Sequence, residues 1–600
     1  MKANNLAWLT AATLFSGAAL ADVNYKIDLT QSPEHHLANV EVVFPKADSD
    51  SLTVNLPIWR TGKYTVLPIS DGIRKFTAKD SKGNELPWQR TETGEWQVKL
   101  SKPTQVSVSY QLYANELGSR TRHISATHAY LDASAVFMYS PTFRNDDVNV
   151  ELEVPNGWRS FSGMDYGSNK HSFTAPNYDV LVDSPIETGI NKHREFTADG
   201  RSYELVVWGE GNYDVDQIVT DLKKISSQAD RLWDGYPFKR YVYMVHATSG
   251  ARGATEHLNS TIIQLPRFMF RERKDYLRFI STASHEFIHT WNVKAYRPEQ
   301  IATYNYQKEV VTPLLWLAEG STSYFQNQLL LSGGVMKPKE FFADLSKRIQ
   351  GNENKPGKET QSAASTSLGT WASTGGDYAH NFSVNIYSEG YMVSMALDHK
   401  IMEQTDLAKS YRDVQRELYR NHKVPKGYTS EDVKGIAEQL TGKSYDTWWT
   451  KHIDSPVSLD FDALLKHAGL KLDRGAKTEV YTGIKLGRGD NGLALSRVQK
   501  DSPAWKAGIG AGDQLVAING LKVTGKGFQK RLDDFKAGDV VSVTLFQDDQ
   551  LNTVKLKLAE KAKGKYSIKS VEKPTKHQKA FLKMWLGIEW PFDENGKFIK

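Results

Sequence analysis

The sequence predicts a multidomain α+β protein. Three observations carry that reading: the length, the alternation of apolar residues in the first third, and their helical spacing in the middle. At 600 residues the chain is long enough for about three or four domains. Hydrophobic residues make up 40% and charged residues 24%, the balance of a globular protein, which excludes wholesale disorder and fibrous architectures. Cysteine is absent, so disulfides, thiolate zinc sites and iron–sulfur clusters are impossible, and any metal must sit on His, Asp or Glu. A net charge of +6, spread over so large a surface, does not point to nucleic acid as a partner.

Residues 1–21 read as a signal peptide. Lys2 precedes an apolar run from Leu6 to Leu20, and Ala19-Leu20-Ala21 supplies the small-x-small cleavage pattern. The run is short of the ~20 residues a spanning helix needs, so no membrane span is expected after cleavage near Ala21. The mature chain is expected to work in a bacterial periplasm or as a secreted protein.

Residues 22–205 are predicted to be β-rich. Leu52, Val54 and Leu56 alternate with polar residues, as do Trp96, Val98 and Leu100, and Val106, Val108, Tyr110 and Leu112. Between them lie turn-forming stretches such as Thr93-Gly94. Residues 206–465 read as mainly helical: Ile218, Leu222, Ile225, Ala229 and Leu232 fall on one helix face behind Asp214 and Asp216. The stretch 351–378, rich in Gly, Ser, Thr and Lys, reads as a long surface loop. Short strands return over 475–562, with turns at Asp501-Ser502-Pro503-Ala504 and strand then turn at Asp513 to Gly520. The tail 563–600 carries Phe581, Trp585, Trp590 and Phe592 and is expected to dock on the body, because exposed tryptophan is costly.

His285-Glu286-Phe287-Ile288-His289 is an HExxH motif. On a helix the two histidines lie a turn apart on one face and can share one Zn²⁺, with Glu286 angled toward the open side as general base. A third ligand separates this reading from a helix that merely carries two histidines. Glu319 lies in a segment with Thr312 as N-cap, Pro313 at the first helical position and Gly333-Gly334 after the end. It sits amid Leu314, Leu315, Trp316, Leu317, Tyr324 and Phe325. A carboxylate buried there needs a cation, either one zinc ion held with His285 and His289 or a buried Arg or Lys. Two histidines, a carboxylate and an open position make a catalytic site, and the chemistry it implies is amide hydrolysis by water that Glu286 deprotonates.

HEFIHTWNVK (285–294) followed by WLAEG (316–320) resembles the glycyl aminopeptidase family of zinc metallopeptidases. The resemblance extends to LPIWRTGKYTV (56–66), to PGK (356–358) ahead of Trp371, and to YSEGYMVSMALD (387–398), and so covers nearly the whole mature chain. More distantly the chain is similar to the aminopeptidase N group, which shares the gluzincin ligand set. The family joins a β-rich N-terminal domain (here 22–205), a thermolysin-like, mainly helical catalytic domain (206–465) and a PDZ-like β domain (475–562). The resemblance implies removal of N-terminal Gly or Ala from peptides.

It also implies that Glu256, in Gly253-Ala254-Thr255-Glu256-His257, binds the substrate's free α-ammonium on a strand where Gly253 and Ala254 line the cleft. Pairing of Glu256 with Arg252 is the alternative. Tyr387 would donate to the oxyanion, with Tyr391 as a competing candidate. Glu389 and Ile386 depart from the family pattern, which commonly has lysine and a second tyrosine there. Asn491-Gly492-Leu493-Ala494-Leu495 stands where PDZ domains hold a peptide's C-terminal carboxylate and add the peptide to the adjacent strand; packing on the catalytic domain is the other role open to that module. Two further readings compete: a broader metallopeptidase that also cuts internally, and a PDZ adaptor with an idle active site.

Overall fold

The computed structural model describes residues 22–60, 62–67, 69–370, 375–487 and 493–599. The predicted signal segment 1–21, together with Thr61, Trp371, Asn491 and Gly492, lies outside the described residues.

One compact unit comprises the residues up to Ile58 and Leu67–Lys192. Its main sheet has seven strands. In Thr104–Tyr113, Val106, Val108, Tyr110 and Leu112 are buried while the residues between them are half-buried. This strand pairs antiparallel with Leu37–Ala47 on one side and Ile73–Asp80 on the other. In a separate three-stranded sheet, Leu52 and Val54 stand opposite Val98 and Trp96. A one-residue slip would turn all of these side chains to the wrong face, so the alternation itself sets the register.

The second unit consists of Trp59–Val66 and His193–Lys600. A five-stranded sheet opens it: β1 (Lys192–Ala198), β2 (Arg201–Trp208), β3 (Arg240–Thr248), β4 (Gly253–Glu256) and β5 (Ser260–Pro266), in the order β1-β2-β3-β5-β4. β2, β3 and β5 are parallel, and β4 runs antiparallel to β5 at the edge. Central β3 is buried from 241 to 248, the continuous burial of a strand covered on both faces. Helix α1 (Val215–Ser226) is capped by Asp214, which accepts from the Asp216 and Gln217 N–H groups, and it buries Ile218, Leu222 and Ile225.

Helix α2 (Arg273–His289) turns Tyr276, Phe279, Ile280, Ala283 and Phe287 inward, the stripe that sets an amphipathic helix on a core. The Phe287 ring lies 5.4 Å from that of Tyr241 and 6.3 Å from that of Tyr243, which fixes α2 against β3. After it come a π-helical turn (Trp316–Ser321), α3 (Thr322–Ser332) and α4 (Pro338–Glu353).

The described residues of the stretch 351–378 are not the long loop their composition suggests. The end of α4, a 3₁₀ turn (Pro356–Glu359), α5 (Ala363–Gly369) and the start of α6 (Gly376–Phe382) occupy most of that stretch. Ser362 and Ser365 form a reciprocal capping box that starts α5, so serine here begins a helix instead of breaking one. Helix α7 (Ile386–Gln404) follows.

Toward the C-terminus, a four-stranded sheet and smaller strand pairs enclose a core of their own, including Leu495, Val498, Leu515, Val543 and Leu556. The chain ends in α8 (Lys576–Leu586). Its Phe581 and Trp585, and Phe592 beyond it, are buried in the core of the helical region. The Trp585 indole N–H donates to the Tyr324 hydroxyl at 2.7 Å. The chain is therefore α+β throughout: a β-rich N-terminal region, a helical middle and a C-terminal β region.

Candidate metal centre

His285 and His289 close helix α2, with their Nε2 atoms 3.0 Å apart. Each ring is oriented through its other nitrogen. His285 Nδ1 lies 2.8 Å from Gln326 Oε1 on α3, and His289 Nδ1 lies 2.7 Å from the Asn292 carbonyl. Both of those oxygens can only accept, so each Nδ1 carries the proton and each Nε2 presents a lone pair. Glu319 Oε2 completes the cluster at 3.2 Å from His289 and 3.5 Å from His285.

Ligands 2.0–2.1 Å from a tetrahedral zinc ion stand about 3.3–3.4 Å from one another, close to these spacings. Two lone pairs and a carboxylate oxygen so close together need a cation between them, and the donor set fits one divalent metal. With no cation between them, burial opposes ionisation of Glu319, but positive charge on the His289 and His285 imidazoles outweighs it and holds the carboxyl well below its usual range; a bound metal would supply that positive charge in place of the ring protons. His289 and Glu319 are sealed in, whereas the His285 side chain keeps 12% exposure, which marks the open side.

Local structure explains how these residues meet. Glu319 sits on the π turn, a wider turn than the regular helix its segment suggests, and such turns recur at functional sites. Asn292 Nδ2 donates to the Leu317 and Ala318 carbonyls at 3.1 and 3.2 Å, so one side chain satisfies the loosened turn while its own backbone orients His289. The π turn crosses α7 at two glycines. A Cβ on Gly320 would lie 2.4 Å from Gly390 Cα, and one on Gly390 would lie 2.3 Å from the Trp316 carbonyl oxygen. This close approach brings the first turn of α7 to the cluster. There the Asn385 side chain accepts from the Tyr387 and Ser388 N–H groups, and the Tyr387 ring lies 5.9 Å from that of His285. The competitor Tyr391 is buried elsewhere, 5.4 Å from the Tyr324 ring and beneath Arg348.

Glu286 and Glu256 are both buried. Together with His289 they present atoms that all lie within 4.8 Å of one another. Glu256 ends β4, the edge strand, where Gly253, Ala254 and Glu256 stand opposite Gln264, Ile263 and Thr261. Its Oε1 has no hydrogen-bond partner among the described residues. Arg252, the alternative partner, donates instead to Met269 Sδ at 2.9 Å. Glu389 accepts from Asn352 Nδ2 at 2.9 Å. Burial pushes its carboxyl up to about 7, against the opposing pull of Lys358 and Asn352.

In the C-terminal β region, Leu495–Val498 pairs on one edge with Ile484–Leu486. On its other edge the Val498 N–H donates to Asp377 Oδ1 at 3.0 Å and its carbonyl accepts from Asn381 Nδ2 at 2.8 Å. Helix α6 thus occupies that end of the strand expected to receive a peptide, while Ile484–Leu486 has a single strand partner among the described residues.

Sequence reasoning passed over Gln326, Asn292 and the Trp59–Val66 segment. Nothing in the composition around them marks a role. Asn292, inside the quoted HEFIHTWNVK motif, and Trp59–Val66, inside the quoted LPIWRTGKYTV stretch, each carried a signal that could have been followed.

Two imidazoles and a buried carboxylate, with two further carboxylates beside them, at the end of a helix laid on a sheet with an antiparallel edge strand, define a metallopeptidase. Family comparison narrows this. The chain matches the peptidase M61 N-terminal domain over residues 24–190, M61 glycyl aminopeptidase over 278–393 and a PDZ domain over 480–558, and it belongs to the M61 glycyl aminopeptidase family. It is similar to an aminopeptidase N family protein from Idiomarina loihiensis, with 27% identity and a TM-score of 0.86 over 94% of this chain and 100% of that one. An M1 zinc metallopeptidase from Deinococcus radiodurans matches at 12% identity and a TM-score of 0.45, over 70% of this chain and 91% of that one. A probable CtpA-like serine protease from Staphylococcus haemolyticus is 25% identical over 189 residues, 30% of this chain. The match spans about a third of that relative, 34% of its length.

Proposed function

We propose that this metallopeptidase is a zinc-dependent, exported aminopeptidase that removes N-terminal residues, Gly or Ala, from peptides. One metal per chain is held by His285, His289 and Glu319; zinc suits these donors, and when bound it lowers the pKa of a water and polarises the scissile carbonyl. Glu286 accepts the proton of the attacking water and passes it to the leaving amine nitrogen. The Tyr387 hydroxyl donates to the oxyanion that develops on the carbonyl, a contribution of about 3 kcal/mol. Gly253 and Ala254 offer edge-strand backbone to an extended peptide, and Glu256 holds its α-ammonium.

The observation that carries the aminopeptidase reading is Glu256. It is a buried carboxylate with an unsatisfied oxygen, beside the proposed base and one proposed ligand. A buried anion of this kind calls for a cation, and a peptide's amino terminus supplies one where an N-blocked peptide does not. The Gly or Ala preference rests on family resemblance. Export rests on residues 1–21 of the sequence; no helix among the described residues is long and apolar enough to cross a membrane. Peptide binding by the PDZ domain is supported by its fold alone.

The base assignment is tested with Glu286→Gln. The variant is expected to fold and to keep about one metal per chain by elemental analysis, while kcat falls by about 10²–10⁴-fold. Normal turnover in that variant would refute the assignment.

A further inference from the structure

The stretch 56–66 carries part of the family resemblance but supplies no ligand, base or ammonium anchor. By its contacts Trp59–Val66 belongs to the second unit, although its flanking residues belong to the first. Trp59 is buried and anchors it: its backbone N–H donates to the Tyr306 carbonyl at 3.1 Å, and its ring lies 6.5 Å from that of Tyr304.

Gly62 follows at φ +81°, and its backbone lies directly on Glu256. A Cβ there would stand 2.7 Å from Oε1 and 2.9 Å from Oε2 of that carboxylate. Only glycine combines this conformation with this approach. Tyr64 then takes φ +54°, an uncommon backbone for a bulky residue and one that persists only where surroundings enforce it. Its side chain is buried, within electrostatic reach of Glu319, Glu256, Tyr387 and Tyr428. Burial first, and these neighbours after it, hold the phenol neutral.

A peptide's first residue must place its ammonium at Glu256 and its carbonyl at the centre that includes Glu319. Those two groups are separated by a single Cα, a span of about 2.5 Å from nitrogen to carbonyl carbon. Tyr64 is two residues beyond the glycine that lies on Glu256, and its buried side chain is within electrostatic reach of both carboxylates, which brings it near that Cα. We propose that Tyr64, carried on the Gly62 turn, forms the wall of the pocket for the first residue's side chain and confines it to small residues. The inference rests on the aminopeptidase reading and adds to it the residue that sets specificity.

The test compares kcat/KM for leucyl and glycyl anilides in wild type, Tyr64→Phe and Tyr64→Ala, with inhibition by leucinamide and glycinamide as a binding readout. Tyr64→Ala is expected to raise the leucyl-to-glycyl ratio by about tenfold or more, and Tyr64→Phe to leave it within about twofold. If Tyr64→Ala does not fold, Tyr64→Trp replaces it, and its larger ring should lower the alanyl-to-glycyl ratio by about tenfold. An unchanged ratio in the folded variant, in an enzyme that still cleaves free and spares N-acetylated substrates, overturns the role of Tyr64 alone. Equal cleavage of N-acetylated substrates by wild type overturns the aminopeptidase reading and this inference with it.

Discussion

Gln326 decides which nitrogen of His285 faces Glu319. By accepting a hydrogen bond from Nδ1–H at 2.8 Å it leaves the Nε2 lone pair for a cation and fixes the ring plane. Outer partners of this kind typically change metal affinity by about 10–100-fold. Gln326→Ala should therefore lose metal to a chelator at about 10–100-fold lower competitor concentration, with circular dichroism unchanged. Glu389 makes a separate prediction. Its folded pKa of about 7 lies above the ordinary 4.5, so the folded state favours the neutral acid. Its contribution to stability is full below about 4.5 and is lost as pH rises through about 7. Denaturant midpoints measured across that window should fall with pH in the wild type and fall less in Glu389→Gln. An equal slope in both would show that another group carries it.

Helix α2 was readable because its apolar period and the HExxH spacing coincide, so the same residues that predict a helix predict which face carries the histidines. The π turn was not readable: widening a helix by one residue changes which carbonyl meets which N–H, and Trp316-Leu317-Ala318-Glu319-Gly320 would suit an ordinary helix equally well. Nor was the helix at Ala363–Gly369, where capping by Ser362 overrides a composition typical of loops. The crossing of the π turn and α7 depends on Gly320 and Gly390 having no side chain. Gly390→Ala is expected to cost about 1–3 kcal/mol of stability by overpacking. It should also lower kcat more than it raises KM, because the displaced element carries Tyr387. A variant as stable and as active as wild type would remove the crossing from the account.

At the scale of the whole molecule, the site draws on a sheet edge, a helix end, a π turn and the start of α7, four elements spread from Glu256 to Tyr387 along the chain. The residue types could be read from the sequence because each lies in a local motif; their convergence could not, since it depends on packing between distant elements. Trp59–Val66 shows this most clearly: it lies more than a hundred residues upstream of Glu256, yet Gly62 closes on that carboxylate. The central claim, that Glu256 selects a free amino terminus for hydrolysis at the His285–His289–Glu319 centre, is tested most directly by one paired assay. A peptide containing Gly-Ala is offered in free and N-acetylated forms, with and without chelator, to wild type and to Glu256→Gln. The account predicts chelator-sensitive release of the first residue from the free peptide alone, with a large loss in Glu256→Gln. Cleavage of both forms at similar rates would contradict it and leave an endopeptidase in its place.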